Sequence, residues 1–275
     1  MGQLPAVLAY HKVHTPELGG TWCTRRQLRA HVAALGAAGF KAVDFATFER
    51  RLDALQDPAN VPDPGREVLF TFDDGFASFA DHAWPELQQS ATPAVVFVIT
   101  EYVGRRASWD WPLPGRRPPH LDWPALRALA AAGVTIGSHA ATHRDLRRLS
   151  AVDLSTELHG TRLRLEDALG VRVASVAYPF GRCDARVARA ARDAGYACGF
   201  SVCPPGTGVE RFALRRFGVY VIDGPRAVLD KADVRRPGHA WQAAAGRAIN
   251  ASAGLVSGAP RSGRPQGYGS RLPDR

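Results

Sequence analysis

With 275 residues, 45% of them hydrophobic and 22% charged, the chain has the composition of a soluble globular protein and the length of one α/β barrel. No apolar run is long enough to cross a bilayer, and Cys23, Cys183, Cys198 and Cys203 form no C-x-x-C pair, so nothing points to a disulfide scaffold. The net charge of +9 is concentrated at the end: residues 231–275 carry Lys231 and seven arginines against Asp233 and Asp274. That Gly/Ser/Pro/Arg-rich stretch cannot bury enough apolar surface to fold. The expectation is a folded domain over 1–230, then a basic extension over 231–275, disordered at its end, with no specific nucleic-acid partner. The opening "MGQLPAVLAYHKV" offers only Ala6 to Tyr10 before Lys12, too short for a signal-peptide core, and a cytoplasmic location is expected.

In chain order, Ala6–Tyr10 reads as a strand and Thr24 caps a helix in which Leu28, Val32 and Leu35 recur at helical spacing. A short strand is predicted over Lys41–Phe45, a helix over Thr47–Leu55, and a loop at "QDPANVPDPG". Val68–Phe72 is the next strand, followed by a helical stretch to Gln89 and a strand over Ala94–Ile99. Beyond an irregular segment, Asp122 opens a helix with Pro124 in its first turn. Val134–Gly137 is a strand, Ser150 caps a long helix to Gly170, and Ser175–Tyr178 is a strand. Asp184 caps a helix ending near Gly195, Ala197–Val202 is strand-like, and Val219–Ile222 closes the series. Repeated strand–helix alternation predicts a parallel sheet covered by helices, and seven or eight such units close naturally into a barrel.

In such barrels functional side chains gather where strands end. His11 follows the first strand, Asp73 and Asp74 follow Val68–Phe72, His139 and His143 follow Val134–Gly137, and Pro179, Phe180 and Gly181 follow Ser175–Tyr178. Each feature alone has a plain explanation: "DDG" as a turn, the two histidines as a surface pair, His11 as a packed histidine, "YPFG" as a turn. Together they meet one demand, since two imidazoles and a carboxylate bind a divalent metal and leave positions open for water and substrate. A cation would also compensate two adjacent acids. Consecutive residues leaving a strand point in different directions, so one aspartate is free to ligate while the other faces the water and takes its proton.

The motifs "TFDDG" (71–75), "SHAATH" (138–143) and "AYPFG" (177–181), in that order and spacing, resemble the polysaccharide deacetylases, the NodB-homology or carbohydrate esterase family 4 proteins. The opening "VLAYHKV" and "LRAHVAALGAAGFKAV" are similar to the branch acting on poly-N-acetylglucosamine-type glycans. The resemblance covers roughly residues 5 to 222. It implies a distorted (β/α)7-type barrel, with Asp74, His139 and His143 as metal ligands, Asp73 as general base, and zinc as the default metal, with cobalt, nickel or iron as alternatives. The implied substrate is an N-acetylated sugar or oligosaccharide, deacetylated to a free amine and acetate. Tyr178, Pro179, Phe180 and Gly181 would line the substrate and oxyanion side, through a backbone N–H near Phe180.

Two departures from the family pattern bear on the mechanism. Many members carry an arginine two residues before the proline of the third motif to orient the base; here that position is Ala177, and Arg215 or Arg216 are the candidates to replace it. No late leucine–histidine motif supplies a general acid, which leaves His11 for that role against a packing role. Trp109 of "SWDW" suits a sugar platform or loop packing, and Asp145 suits either an imidazole partner or an exposed helix start. Rival readings are a facial-triad iron oxygenase, a non-catalytic carbohydrate-binding module, and a hydrolase of a non-sugar amide. Oligomeric state is not legible in the sequence.

Overall fold

Runs such as Ala6–Tyr10 and Ala94–Val98, buried at every position, are strands covered on both faces, as parallel strands are. The computed structural model describes residues 4–17, 20–55, 65–107, 117–202 and 210–233. The predicted loop over 56–65, all but its last residue, Gly65, lies outside these residues, together with Trp109 and the extension beyond Asp233. The strands are β1 (Ala6–Tyr10), β2 (Lys12–Val13), β3 (Trp22–Cys23), β4 (Lys41–Ala42), β5 (Glu67–Phe72), β6 (Ala94–Val98), β7 (Thr135–Ser138), β8 (Ser175–Ala177), β9 (Cys198–Ser201), β10 (Leu214–Arg215) and β11 (Phe217–Gly218). The helices are α1 (Arg25–Ala37), α2 (Phe45–Ala54), α3 (Trp84–Gln89), α4 (Trp123–Ala131), α5 (Ala151–Ser155), α6 (Thr161–Leu169), α7 (Ala185–Asp193) and α8 (Pro225–Ala232).

The main sheet runs β10-β9-β8-β7-β6-β5-β1-β11, parallel throughout, with β4 on the start of β5. Its two ends are consecutive in sequence. β10 pairs with β9 and β11 with β1, so Leu214–Gly218 is one seventh strand, broken at Arg216, that nearly closes the barrel. The expected (β/α)7-type architecture is therefore present. Alternation along the strands sorts side chains into two cores. Leu8, Phe70, Val96, Ile136 and Val176 pack outward with helix residues such as Leu28, Leu126 and Leu165. Val7, Leu69, Val95, Phe97, Ala177 and Phe200 face the other way, with Phe45, Phe48 and Leu52 of α2 joining them.

The capping signals act as read. Thr24 and Gln27 form a reciprocal capping box on α1, and Asp122, Ser150 and Asp184 each accept a backbone N–H of the helix they open. The stretch from Ser150 to a left-handed Gly170 is helical, with a π turn over Thr156–Gly160 between α5 and α6. Two readings need correction. The predicted strand over Lys41–Phe45 stops at Ala42, because Asp44 accepts the Thr47 N–H at 2.7 Å and starts α2 at Phe45. The predicted last strand, Val219–Ile222, is a turn: the Asp223 carboxylate accepts the Tyr220 N–H, and Ile222 is 74% exposed. The strand itself lies just upstream, at Leu214–Gly218.

Gly137 of β7 pairs with Phe97 of β6, and a Cβ there would lie 2.5 Å from two atoms of the Phe97 ring. Because β7 leads directly into His139, this close approach fixes the strand that presents that residue. Gly137→Ala should overpack the site and lower stability by about 1–3 kcal/mol in denaturant unfolding; an unchanged midpoint would show that the ring gives way freely.

Candidate metal centre

The ladder of the barrel continues one residue past the strands and so fixes the rim. Asp73 N–H donates to the Tyr10 carbonyl at 2.9 Å, His139 N–H to Val98 at 2.8 Å and Tyr178 N–H to Phe200 at 3.1 Å. Beyond these points the backbone turns sharply. Among the described residues, six non-glycine residues have positive φ, and four of them are Asp74 (70°), Ala140 (63°), His143 (60°) and Phe180 (58°), all on this rim. Backbone held in the left-handed region at a functional rim is a cost that the surrounding contacts must offset.

These turns bring Asp74, His139 and His143 together, each offering one ligand atom within 4.8 Å of the others. Oδ1 of Asp74 lies 3.3 Å from Nε2 of His139 and 3.5 Å from Nε2 of His143. Nδ1 of His139 is 2.7 Å from the Ala177 carbonyl oxygen, which only accepts, so Nδ1 carries the hydrogen. In the neutral ring Nε2 is then a lone pair aimed at a carboxylate oxygen. Oδ1 of Asp74 is buried and makes no hydrogen bond of ordinary geometry. Converging acceptors of this kind repel unless a cation lies among them, and a ligating histidine typically donates its other N–H to a carbonyl. The residues therefore fit a divalent metal.

Charge around the centre acts differently on the three donors. Burial opposes ionisation of Asp74, yet the His139, His143 and His11 imidazoles hold its carboxyl well below the usual range. Burial pushes His143 down to about 3, which keeps it in the neutral form that ligates. For His139, burial is outweighed by Asp73 and Asp74, and its value is raised.

Asp73, only 4% exposed, takes a different partner. Arg216, 1% exposed, grips it with two parallel bonds, NH1 to Oδ1 at 2.6 Å and NH2 to Oδ2 at 2.8 Å. NH1 also donates to Thr71 Oγ1 at 3.2 Å, and the guanidinium lies over the Phe97 and Phe200 rings. Burial would raise the Asp73 carboxyl, but Arg216 and the neighbouring imidazoles hold it below its ordinary value. Of the two arginines singled out in the sequence, Arg216 is thus on Asp73, whereas Arg215 is exposed. Ala177 packs in the same inner core as Phe97 and Phe200, the two rings beneath Arg216. Leu214 and Arg216 are in phase on the broken strand, a period-two signal that separates Arg216 from Arg215.

His11 lies beside the pair, with Nε2 3.9 Å from Oδ2 of Asp73 and a side chain 22% exposed. The third motif forms the opposite wall. The Phe180 ring contacts that of His143 at 4.6 Å, and Gly181 has φ of 63° with Val202 atoms 2.5–2.7 Å from where a Cβ would be. The Tyr178 side chain is fully buried, and its hydroxyl donates to the Phe212 carbonyl at 2.8 Å. Asp145 is not on an imidazole, since Arg147 and Arg182 occupy its carboxylate. Two residues near the centre carried no motif. His120 is buried between Phe76 and Tyr102, with its value lowered to about 4, chiefly by burial. Glu157 is buried beneath the loop that bears both histidines; a glutamate on the apolar stripe of Leu154, Leu158 and Leu165 was its available signal.

The family model described as polysaccharide deacetylase matches residues 60–199. The chain belongs to the polysaccharide deacetylase family. Within it, the chain is 22% identical over 215 residues to YxkH of Bacillus subtilis, whose name places it among these deacetylases; the match spans 78% of this chain and 70% of that protein. Two solved structures share the fold. The Streptococcus pyogenes deacetylase PplD, in complex with acetate, superposes with a TM-score of 0.70 at 19% identity over 85% of this chain and all of that one. IcaB from Ammonifex degensii gives 0.64 at 23% identity, over 84% of this chain and 96% of that one. Among the described residues of this deacetylase-family chain, no helix is long and apolar enough to cross a membrane.

Asp74→Ala, His139→Ala and His143→Ala should each abolish stoichiometric zinc binding in a metal-content assay on folded protein; metal retained by all three would remove the assignment. Arg216→Ala strands a buried carboxylate and should cost about 3–5 kcal/mol in unfolding, far more than an exposed pair. Loss of less than 1 kcal/mol would mean that water replaces the arginine.

Proposed function

We propose that the protein is a metal-dependent deacetylase that hydrolyses the N-acetyl group of an N-acetylhexosamine, in a glycan or a sugar intermediate, and releases acetate. The observation that carries the reading is the division of two adjacent buried aspartates, Asp74 toward two imidazoles and Asp73 toward Arg216. Family membership supports the reaction class, and Asp74, His139 and His143 are the residues that would hold the metal, zinc by default.

Bound there, a divalent metal supplies a water of lowered pKa and polarises the amide carbonyl. Asp73 accepts the proton of the attacking water. Its bidentate pair with Arg216 keeps it ionised and fixes the plane of the carboxylate, in the place of the third-motif arginine that Ala177 lacks. A backbone N–H at Phe180 stabilises the developing oxyanion. His11 delivers a proton to the departing amine, a role supported by its partial exposure and its position beside Asp73. Water and amide are thereby converted to acetate and a free amine. A sugar stacking on Trp109 belongs to the same proposal.

The test is acetate release from N-acetylglucosamine oligomers and small N-acetyl-sugar conjugates by metal-stripped protein, with and without zinc. Acetate only with zinc is expected, and tight metal binding with no acetate from any of them would overturn the substrate class. Asp73→Asn should retain zinc and lose at least 100-fold in turnover, and His11→Ala should lose 10²- to 10⁴-fold, the usual worth of a general acid. Unchanged turnover in His11→Ala would return that residue to packing.

A further inference from the structure

Both histidine ligands sit on one short loop, and the loop is held from below. Ala140 and His143 are left-handed, at φ of 63° and 60°, and the two residues between them turn their N–H groups the same way. Both N–H groups donate to one oxygen of Glu157, Ala141 at 2.8 Å and Thr142 at 3.0 Å from Oε2. The Thr142 hydroxyl donates to the other oxygen, and Arg144 closes the set with Nε and NH2 at 3.2 and 3.1 Å from Oε1. Glu157 is 1% exposed and rises from the π turn between α5 and α6. Successive N–H groups in a turn of this kind form a hollow that binds an anion, and here the anion is built into the chain. π turns of this sort recur at functional positions.

We infer that Glu157 is a positioning residue of the metal centre: its carboxylate fills the hollow formed by the Ala141 and Thr142 N–H groups and holds His139 and His143 at ligating separation. The inference rests on the metal-centre reading above and goes beyond it. The Glu157 carboxylate bonds to Ala141, Thr142 and Arg144. It acts on the backbone between the two histidines, alongside the Glu101 N–H, which donates to the Ala141 carbonyl at 3.0 Å. Without it, the Ala141 and Thr142 N–H groups lose their acceptor, and the left-handed turns that aim His143 toward Asp74 lose the charged contact among those that offset them.

The test is cobalt affinity, by competition with a chromophoric chelator, together with the visible spectrum of the bound cobalt and thermal unfolding of each variant. Glu157→Ala should bind cobalt 10- to 100-fold more weakly than the parent while still unfolding cooperatively, the loss typical of an outer-shell partner. Glu157→Gln keeps one acceptor oxygen for the two N–H groups and should recover most of the affinity. Glu157→Asp, one methylene short, is the variant to use if the alanine protein fails to fold, and it should weaken binding about tenfold with an altered spectrum. Folded Glu157→Ala or Glu157→Asp with parental affinity and spectrum would overturn the inference and leave the metal centre standing. Cobalt bound by neither parent nor variant would overturn the metal centre, and the inference with it.

Discussion

Two buried carboxylates on consecutive residues repel each other and lose hydration, so each needs its own compensation from its own direction. Asp73 and Asp74 meet that requirement at the mouth of the barrel, each 4% exposed. The left-handed turn at Asp74 separates them. Asp73 keeps the direction of strand β5 and meets Arg216, while Asp74 swings toward His139 and His143. The arginine comes from the seam of the barrel, at the one residue between β10 and β11. Closure of the sheet and fixing of Asp73 are therefore one structural event. The guanidinium is stabilised there by a bidentate carboxylate and two aromatic faces, a setting in which lysine would be a poor substitute.

The remaining turns of the rim have the same cause. Asp74, Ala140, His143 and Phe180 all adopt a conformation costing roughly 1 kcal/mol or more at a non-glycine residue. Regular strands deliver side chains alternately to the two faces, and they cannot converge three ligands and a wall on one point. Left-handed turns can, provided the loops are anchored. The ladder bonds to Tyr10, Val98 and Phe200, the His139 bond to Ala177 and the Glu157 clamp are those anchors.

Much of this was legible in the sequence, for physical reasons that differ by element. Caps such as Thr24, Ser150 and Asp184 announce helices because orphan N–H groups need acceptors, and each acts so in the fold. The candidate site was legible because three strands end in polar residues that a core would otherwise exclude, at His11, Asp73 and His139. Short elements were less so: β4, β10 and β11 have two residues each, too few for periodicity, and the apolar run Val219–Ile222 outweighed the arginine-interrupted strand before it. Arg216 was narrowed to a pair, since charge in an apolar stretch signals burial with a partner but does not name it. The Tyr178 side chain turns into the core, since residues in one motif need not face one way. Glu157 carried no motif; its role comes from a contact between residues 15 apart, which sequence spacing alone does not reveal.

The two aspartates divide by partner: Asp73 pairs with Arg216, and Asp74 is left to the proposed metal. The most direct measurement is a crystal structure of zinc-soaked protein with anomalous data at the zinc edge. One strong peak bonded to Asp74, His139 and His143 is expected, with Asp73 still paired to Arg216 and not a ligand. A peak bonded to Asp73, or no peak among these four residues in crystals that hold zinc elsewhere, would contradict that division.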